Sequence, residues 1–201
     1  MKRLQKLLSN RLITMTQIAQ KIYTPVEYLQ LEAVAEVRHE LINGEMIPVA
    51  GGTTNHNEVV TNLCLLLKPH LRQRKGKVYT ENVRLWIPEF NLFTYPDVML
   101  IAGEPIYYSE SQTTVINPIA IIEVLSDSTR DYDQGRKFGF YRSVASLQEY
   151  ILVEPEKLLV MLYRRGSNKE WSLHILEDET DVISIESVGA KMSLQAIYEG
   201  I

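Results

Sequence analysis

The chain has 201 residues, 45% hydrophobic and 23% charged, with a formal net charge of −4. That content excludes a disordered chain and allows a substantial core, while the acidic balance excludes indiscriminate adhesion to nucleic acid and leaves room for a local basic face. A single cysteine, Cys64, excludes an intrachain disulfide and fits a cytoplasmic location, and no apolar run approaches the roughly 18 to 20 residues that cross a bilayer.

Residues 1–23 scatter Lys2, Arg3, Lys6 and Arg11 among Leu4, Leu7, Leu8, Leu12 and Ile13. The pattern is weakly amphipathic, and a loosely ordered extension is expected ahead of a single domain over 24–201. Thr24-Pro25-Val26-Glu27 is a capping box with proline at the first helical position, opening a helix through about Ala35. Glu40-Leu41-Ile42 and Glu45-Met46-Ile47 flank Asn43-Gly44, the pair best suited to a type I′ hairpin turn. After Gly51-Gly52-Thr53-Thr54, a helix from about His56 to Arg74 carries Val60, Leu63, Leu67 and Leu71 on one stripe, which should pack on a sheet.

Strands are expected at 78–87, 97–102 and 118–125, then a helix from near Asp131 to about Val144. Further strands are expected from Tyr150, at 158–164, 171–176 and 182–186, before a short helix from Ser193. This order predicts an α/β (α+β) fold, a mixed sheet flanked by helices. The aromatic group Trp86, Phe90, Phe93 and Tyr95 is read as core.

Within the apolar run Pro118 to Ser126 stands one carboxylate, Glu123. A lone buried carboxylate costs several kcal/mol, so Glu123 should be neutralised or held by a cation. Asp97 stands where the chain enters the preceding strand, and two carboxylates on adjacent strands suit Mg²⁺ or Mn²⁺. Asp133, Lys137 and Tyr141 recur at i, i+4 and i+8 on one face of the following helix, from which Lys137 could point back over Glu123 or form an ordinary surface pair with Asp133. His39, His56, His70 and His174 show no paired ligand spacing, so His56 is read as a helix cap or a neighbour of the acidic cluster. The run Lys68 to Lys77, with Lys68, Arg72, Arg74, Lys75 and Lys77 and no acid, is the candidate phosphate-binding segment. Glycine-rich nucleotide motifs and a G-x-S-x-G elbow are absent.

Several of these segments together resemble a known family. They are Asp97, Glu123-Val124-Leu125, Ser126 to Thr129, Asp133-x-x-x-Lys137-x-x-x-Tyr141 and Glu149-Tyr150-x-Leu152-Val153-x-Pro155. In this order they are similar to the Uma-type restriction endonucleases, a branch of the PD-(D/E)XK nuclease superfamily. The early hairpin Glu40 to Glu45 and His56 extend the resemblance over about residues 24 to 198. Leu125 stands where the wider superfamily has its lysine, and that role passes to Lys137; His39, Asp127 and Glu154 are smaller departures.

The resemblance implies a restriction-endonuclease-like fold and metal-dependent DNA cleavage. Asp97, Glu123 and the Val124 carbonyl would hold Mg²⁺ or Mn²⁺, Lys137 would orient water or stabilise the phosphate, and Glu40 would be an additional ligand or outer base. Cutting both strands favours a homodimer. A catalytically inactive DNA-binding or assembly protein on the same fold, and a phosphodiesterase acting on RNA or a small substrate, are the alternatives.

Overall fold

The computed structural model describes residues 21–110 and 112–201; most of the expected N-terminal extension, residues 1–20, lies outside the described residues. In chain order the elements are α1 (Pro25–Glu32), β1 (His39–Ile42), β2 (Glu45–Pro48), α2 (Thr54–Gln73), β3 (Lys77–Thr80), β4 (Arg84–Ile87), a 3₁₀ turn (Pro88–Phe90), β5 (Leu92–Thr94), β6 (Val98–Ile101), β7 (Thr114–Val115) and β8 (Ala120–Val124). A helical segment follows, made of α3 (Arg130–Tyr132), a π-helical turn (Asp133–Lys137) and α4 (Phe138–Tyr141). The chain then forms β9 (Glu149–Val153), β10 (Val160–Arg165), β11 (Trp171–Leu176), β12 (Val182–Ile185), β13 (Ala190–Ser193) and α5 (Leu194–Ile197).

Local chemistry sets several of these boundaries. Thr24 and Glu27 close the capping box reciprocally: the Glu27 amide donates to Thr24 Oγ1 at 3.2 Å, and the Thr24 amide donates to Glu27 Oε2 at 2.9 Å. In the hairpin, Asn43 at φ 51° and Gly44 at φ 87° supply the two positive angles of the turn, and Leu41 faces Met46. Tyr23 N–H donates to the Gly44 carbonyl at 2.8 Å, which ties the residue ahead of the cap to the hairpin.

The single sheet expected from sequence is divided. A six-stranded sheet runs β11-β10-β9-β8-β6-β3, a five-stranded sheet runs β2-β1-β5-β4-β7, and β12 and β13 form a separate hairpin. The segment 78–87 is not one strand: a turn at Glu81–Val83 sends β3 to pair with β6 and β4 to pair with β5. Strands β5, β7 and β13 lie in stretches where no strand is expected from sequence, and α1 stops at Glu32 rather than near Ala35. Three residues or fewer in β5 and β7 are too short for a period-2 pattern to show, which is why they were illegible.

Both faces of β8 are buried, with β9 parallel beside it and β6 antiparallel on the other side. Alternation sends Ala120, Ile122 and Val124 to one face, where Val59, Val60, Leu63, Leu67 and Leu71 of α2 cover them with α5 and the β12–β13 hairpin. Ile121 and Leu125 face the other way, into a cluster with Phe140, Tyr141, Tyr150 and Leu152. Glu123 has the parity of this second face, so the strand delivers its carboxylate toward the helical segment 130–141. Trp86, Phe93 and Tyr95 are buried, and Trp86 stacks on Phe93 with centroids 4.2 Å apart, as the core reading expects. Among the described residues no helix is long and apolar enough to cross a membrane.

Candidate functional site

Glu123 is 2% exposed, and two donors converge on one of its oxygens. Lys137 Nζ lies 2.9 Å from Glu123 Oε1, and the Tyr141 hydroxyl donates to the same atom at 2.6 Å. Lys137 also lies 3.3 Å from Asp133 Oδ1. The π-helical turn carries both Asp133 and Lys137 inward, so the helix presents a paired ammonium to the strand.

Burial pushes the Glu123 carboxyl well above the usual carboxylate range, against the pull of Lys137 and with Asp97 and Asp133 adding to the rise. Burial alone would favour the neutral Lys137 amine, yet Glu123, Tyr141, Glu40 and Asp133 together hold it well above its ordinary value. One ammonium therefore serves several acids, and the cluster is short of positive charge. A divalent cation is the chemical remedy such a donor set fits.

Asp97 meets this cluster from the start of β6. Its Oδ2 accepts the Val124 amide at 2.8 Å, which joins Asp97 to the residue directly after Glu123. The same oxygen is 3.3 Å from His56 Nε2, on the first turn of α2, where the Thr53 hydroxyl caps the His56 amide at 3.1 Å. The hydrogen bond to Asp97 raises the His56 pKa against its burial, and a further contribution comes from the Val124 backbone. Glu81, in the turn after β3, brings a carboxylate oxygen close enough that one ligand atom each from His56, Glu81 and Asp97 lie within 4.8 Å of one another.

Glu40 enters from β1 in the other large sheet. It accepts from the Thr94 hydroxyl in a short hydrogen bond and from the Tyr95 amide at 3.3 Å, while Thr94 Oγ1 lies 3.5 Å from the Tyr141 hydroxyl. Thr94 and Tyr141 thus link Glu40 to Glu123. All of these groups open onto one cleft of about 750 Å³, lined by Glu40, His56, Asp97, Glu123, Val124 and Lys137, with Arg38 and Arg136 also on its wall. The Tyr132 hydroxyl on the same wall is buried without a hydrogen-bond partner among the described residues.

The residues expected from sequence thus divide. Glu40, Asp97, Glu123, Val124 and Lys137 share the cleft. Lys68, Arg72, Arg74, Lys75 and Lys77 lie at or beyond the far half of α2, roughly 18 Å or more along the helix from His56 at 1.5 Å per residue. Arg164 and Arg165, other cations of the sequence, are engaged structurally: Arg164 with Glu149 and Glu186, Arg165 with the carbonyls of Arg142, Val144, Ala145 and Leu147. Glu81 carried no sequence signal, because it sits in a turn whose position depends on the splitting of β3 from β4.

Two large sheets flanked by helices, with a lysine-paired carboxylate on a buried strand, make up a mixed α+β fold. A putative nuclease of DUF820 from Anabaena variabilis ATCC 29413, known from its crystal structure, matches it with a TM-score of 0.69 over 87% of this chain and 97% of that one, at 19% identity. The profile of Uma2, described as "Putative restriction endonuclease", matches residues 25–196, and the chain belongs to that family. Two proteins of Synechocystis sp. (strain ATCC 27184 / PCC 6803 / Kazusa) are also similar. Uncharacterized protein sll1609 is 43% identical over 79% of this chain and 90% of its own length. Uncharacterized protein slr1290 is 29% identical over 89% and 92% respectively.

Proposed function

We propose that the protein is a metal-dependent DNA endonuclease hydrolysing phosphodiester bonds, with its active centre in the cleft between β1, β6, β8 and the 130–141 helical segment. The observation that carries this reading is the Lys137–Glu123 contact of 2.9 Å beside the bond from the Val124 amide to Asp97, which brings two acids and an ammonium to one end of a buried strand pair. Membership of the Uma2 family supports the reaction class.

Asp97, Glu123 and the Val124 carbonyl would hold Mg²⁺ or Mn²⁺. When bound, such a cation polarises a phosphodiester and lowers the pKa of a coordinated water. Lys137, held charged by its acidic neighbours, sits where it can orient that water or stabilise charge on the phosphate. Tyr141 fixes the Glu123 rotamer by occupying Oε1, which leaves Oε2 for the cation. Glu40 acts as an outer base or an additional ligand. The exposed Arg136 on the cleft wall is suited to meet a phosphate backbone. Cutting two strands favours a homodimer that pairs two such clefts.

The test is conversion of supercoiled plasmid to nicked or linear forms with Mg²⁺ or Mn²⁺, beside a panel of RNA and small phosphodiesters. Cleavage of DNA that chelation stops is the expected result. DNA binding without turnover in either cation would overturn the reading in favour of an inactive binding protein, and turnover confined to the other substrates would reassign the substrate.

A further inference from the structure

We infer that His56 and Glu81 join Asp97 as ligands of the cation, giving the site a nitrogen donor and a preference for first-row transition cations over Mg²⁺. This deepens the nuclease reading and rests on it for the cation's role. Read from sequence, His56 has only a capping or neighbouring place and Glu81 has none.

The geometry has four parts. First, one ligand atom each from His56, Glu81 and Asp97 fall within 4.8 Å of one another, although the three residues come from the first turn of α2, the turn after β3 and the start of β6. Second, the His56 ring lies against Asp97, one of the groups proposed to hold the cation. Its Nε2 is 3.3 Å from Asp97 Oδ2, the oxygen that also accepts the Val124 amide.

Third, the ring is pinned from behind. A Cβ built on Gly52 would stand 2.7 Å from His56 Nδ1, so close backbone approach by a residue without a side chain fixes the imidazole plane and turns Nε2 toward the cleft. Helix capping needs only the His56 amide, which Thr53 already serves, and does not explain a ring that is 8% exposed and aimed at a carboxylate. Fourth, Glu123 offers the cation one oxygen at most, since Lys137 and Tyr141 both hold Oε1. Further donors are therefore needed, and His56 and Glu81 each bring a ligand atom within 4.8 Å of one on Asp97.

A mixed imidazole and carboxylate set follows different selectivity from an all-oxygen one. Mg²⁺ keeps to oxygen ligands and its own waters, whereas imidazole suits the transition ions, with Mn²⁺ the weakest of that series. The full chain should therefore bind Mn²⁺ about tenfold or more tightly than Mg²⁺, measured by competition with the Mn²⁺ electron paramagnetic resonance signal. Electron spin-echo modulation of bound Mn²⁺ should show coupling to a ¹⁴N nucleus. His56→Gln should abolish that coupling and weaken Mn²⁺ binding about tenfold or more, the scale seen when groups that support a metal site are lost. Glu81→Gln should weaken binding and retain the coupling.

Bound Mn²⁺ without nitrogen coupling in the unmodified protein would overturn the inference, and that measurement needs no variant to fold. Equal affinity for Mn²⁺ and Mg²⁺ would overturn the selectivity, and unchanged coupling in His56→Gln would overturn the His56 assignment. Absence of any Mn²⁺ or Mg²⁺ binding would sink both this inference and the metal-dependent nuclease. Nitrogen-coupled Mn²⁺ with no DNA cleavage would sink the nuclease reading alone.

Discussion

Lys137 and Glu123 form a buried pair, Nζ to Oε1 at 2.9 Å, in which the lysine comes from a π-helical turn and the glutamate from a strand with apolar neighbours on both faces. A one-residue shift of the helix would turn the ammonium away, so the π turn sets the register of the site. Such turns recur at functional sites because they re-aim side chains at the expense of regular hydrogen bonding.

Glu123→Gln keeps the size of the side chain and its contact with Tyr141 while removing the charge. DNA cleavage should fall about a hundredfold or more, the scale of losing one charged group that acts in the transition state, while the circular dichroism spectrum stays that of the parent. Plasmid nicking measured with Mg²⁺ and with Mn²⁺ checks this. Retained activity with either cation would remove Glu123 from the chemistry.

Lys137→Ala leaves Glu123 and Asp133 buried without their shared partner. Breaking a buried ion pair from one side costs about 3–5 kcal/mol, so the variant should unfold at markedly lower denaturant. A divalent cation at the site would neutralise part of the exposed repulsion, and added Mn²⁺ should stabilise the variant more than the parent protein. Urea melts with and without Mn²⁺ give both numbers.

Leu63 is 1% exposed on the stripe of α2 that covers β8 and β6. Leu63→Ala should destabilise the fold by about 2–5 kcal/mol through lost burial and the cavity left behind. Because α2 also carries His56, the same variant should lose cation affinity near its melting temperature and keep it well below. Calorimetry and Mn²⁺ titration at two temperatures test the coupling.

High pH should destabilise the protein from about pH 10 upward. Burial, with Glu32 beside it, pushes the Tyr95 phenol up to about 12, burial pushes Tyr198 to about 12, and Tyr28 is raised further. An unfolded phenol titrates near 10, so between pH 10 and 12 the unfolded chain sheds protons that the folded one retains. The stability these groups contribute is whole below pH 10 and is lost as pH rises through their folded values. Tyrosinate absorbance near 295 nm and denaturant midpoints at pH 9, 10 and 11 should move together; a flat midpoint across that range would contradict the assignment.

Short-range chemistry made part of this molecule readable without coordinates. Thr24 with Glu27, Asn43 with Gly44 and Ser193 before α5 each act within a few residues, and the structure uses all three as a cap, a turn and a cap. The stripe on α2 and the apolar run around Glu123 were legible for the same reason, since periodicity is a local property. The approach of Lys137 to Glu123 is one of two readings that helix spacing leaves open, and the family resemblance selects it.

What could be read from the chain alone was therefore the family resemblance and the buried glutamate, with the lysine that answers it carried by that resemblance. The tertiary structure decided the division into two large sheets, the reach of Glu40 through Thr94 and Tyr141, and the meeting of His56, Glu81 and Asp97. Those contacts join residues from separate elements, and they form only when burial of α2 and the helical segment against opposite faces of the six-stranded sheet fixes where each loop ends.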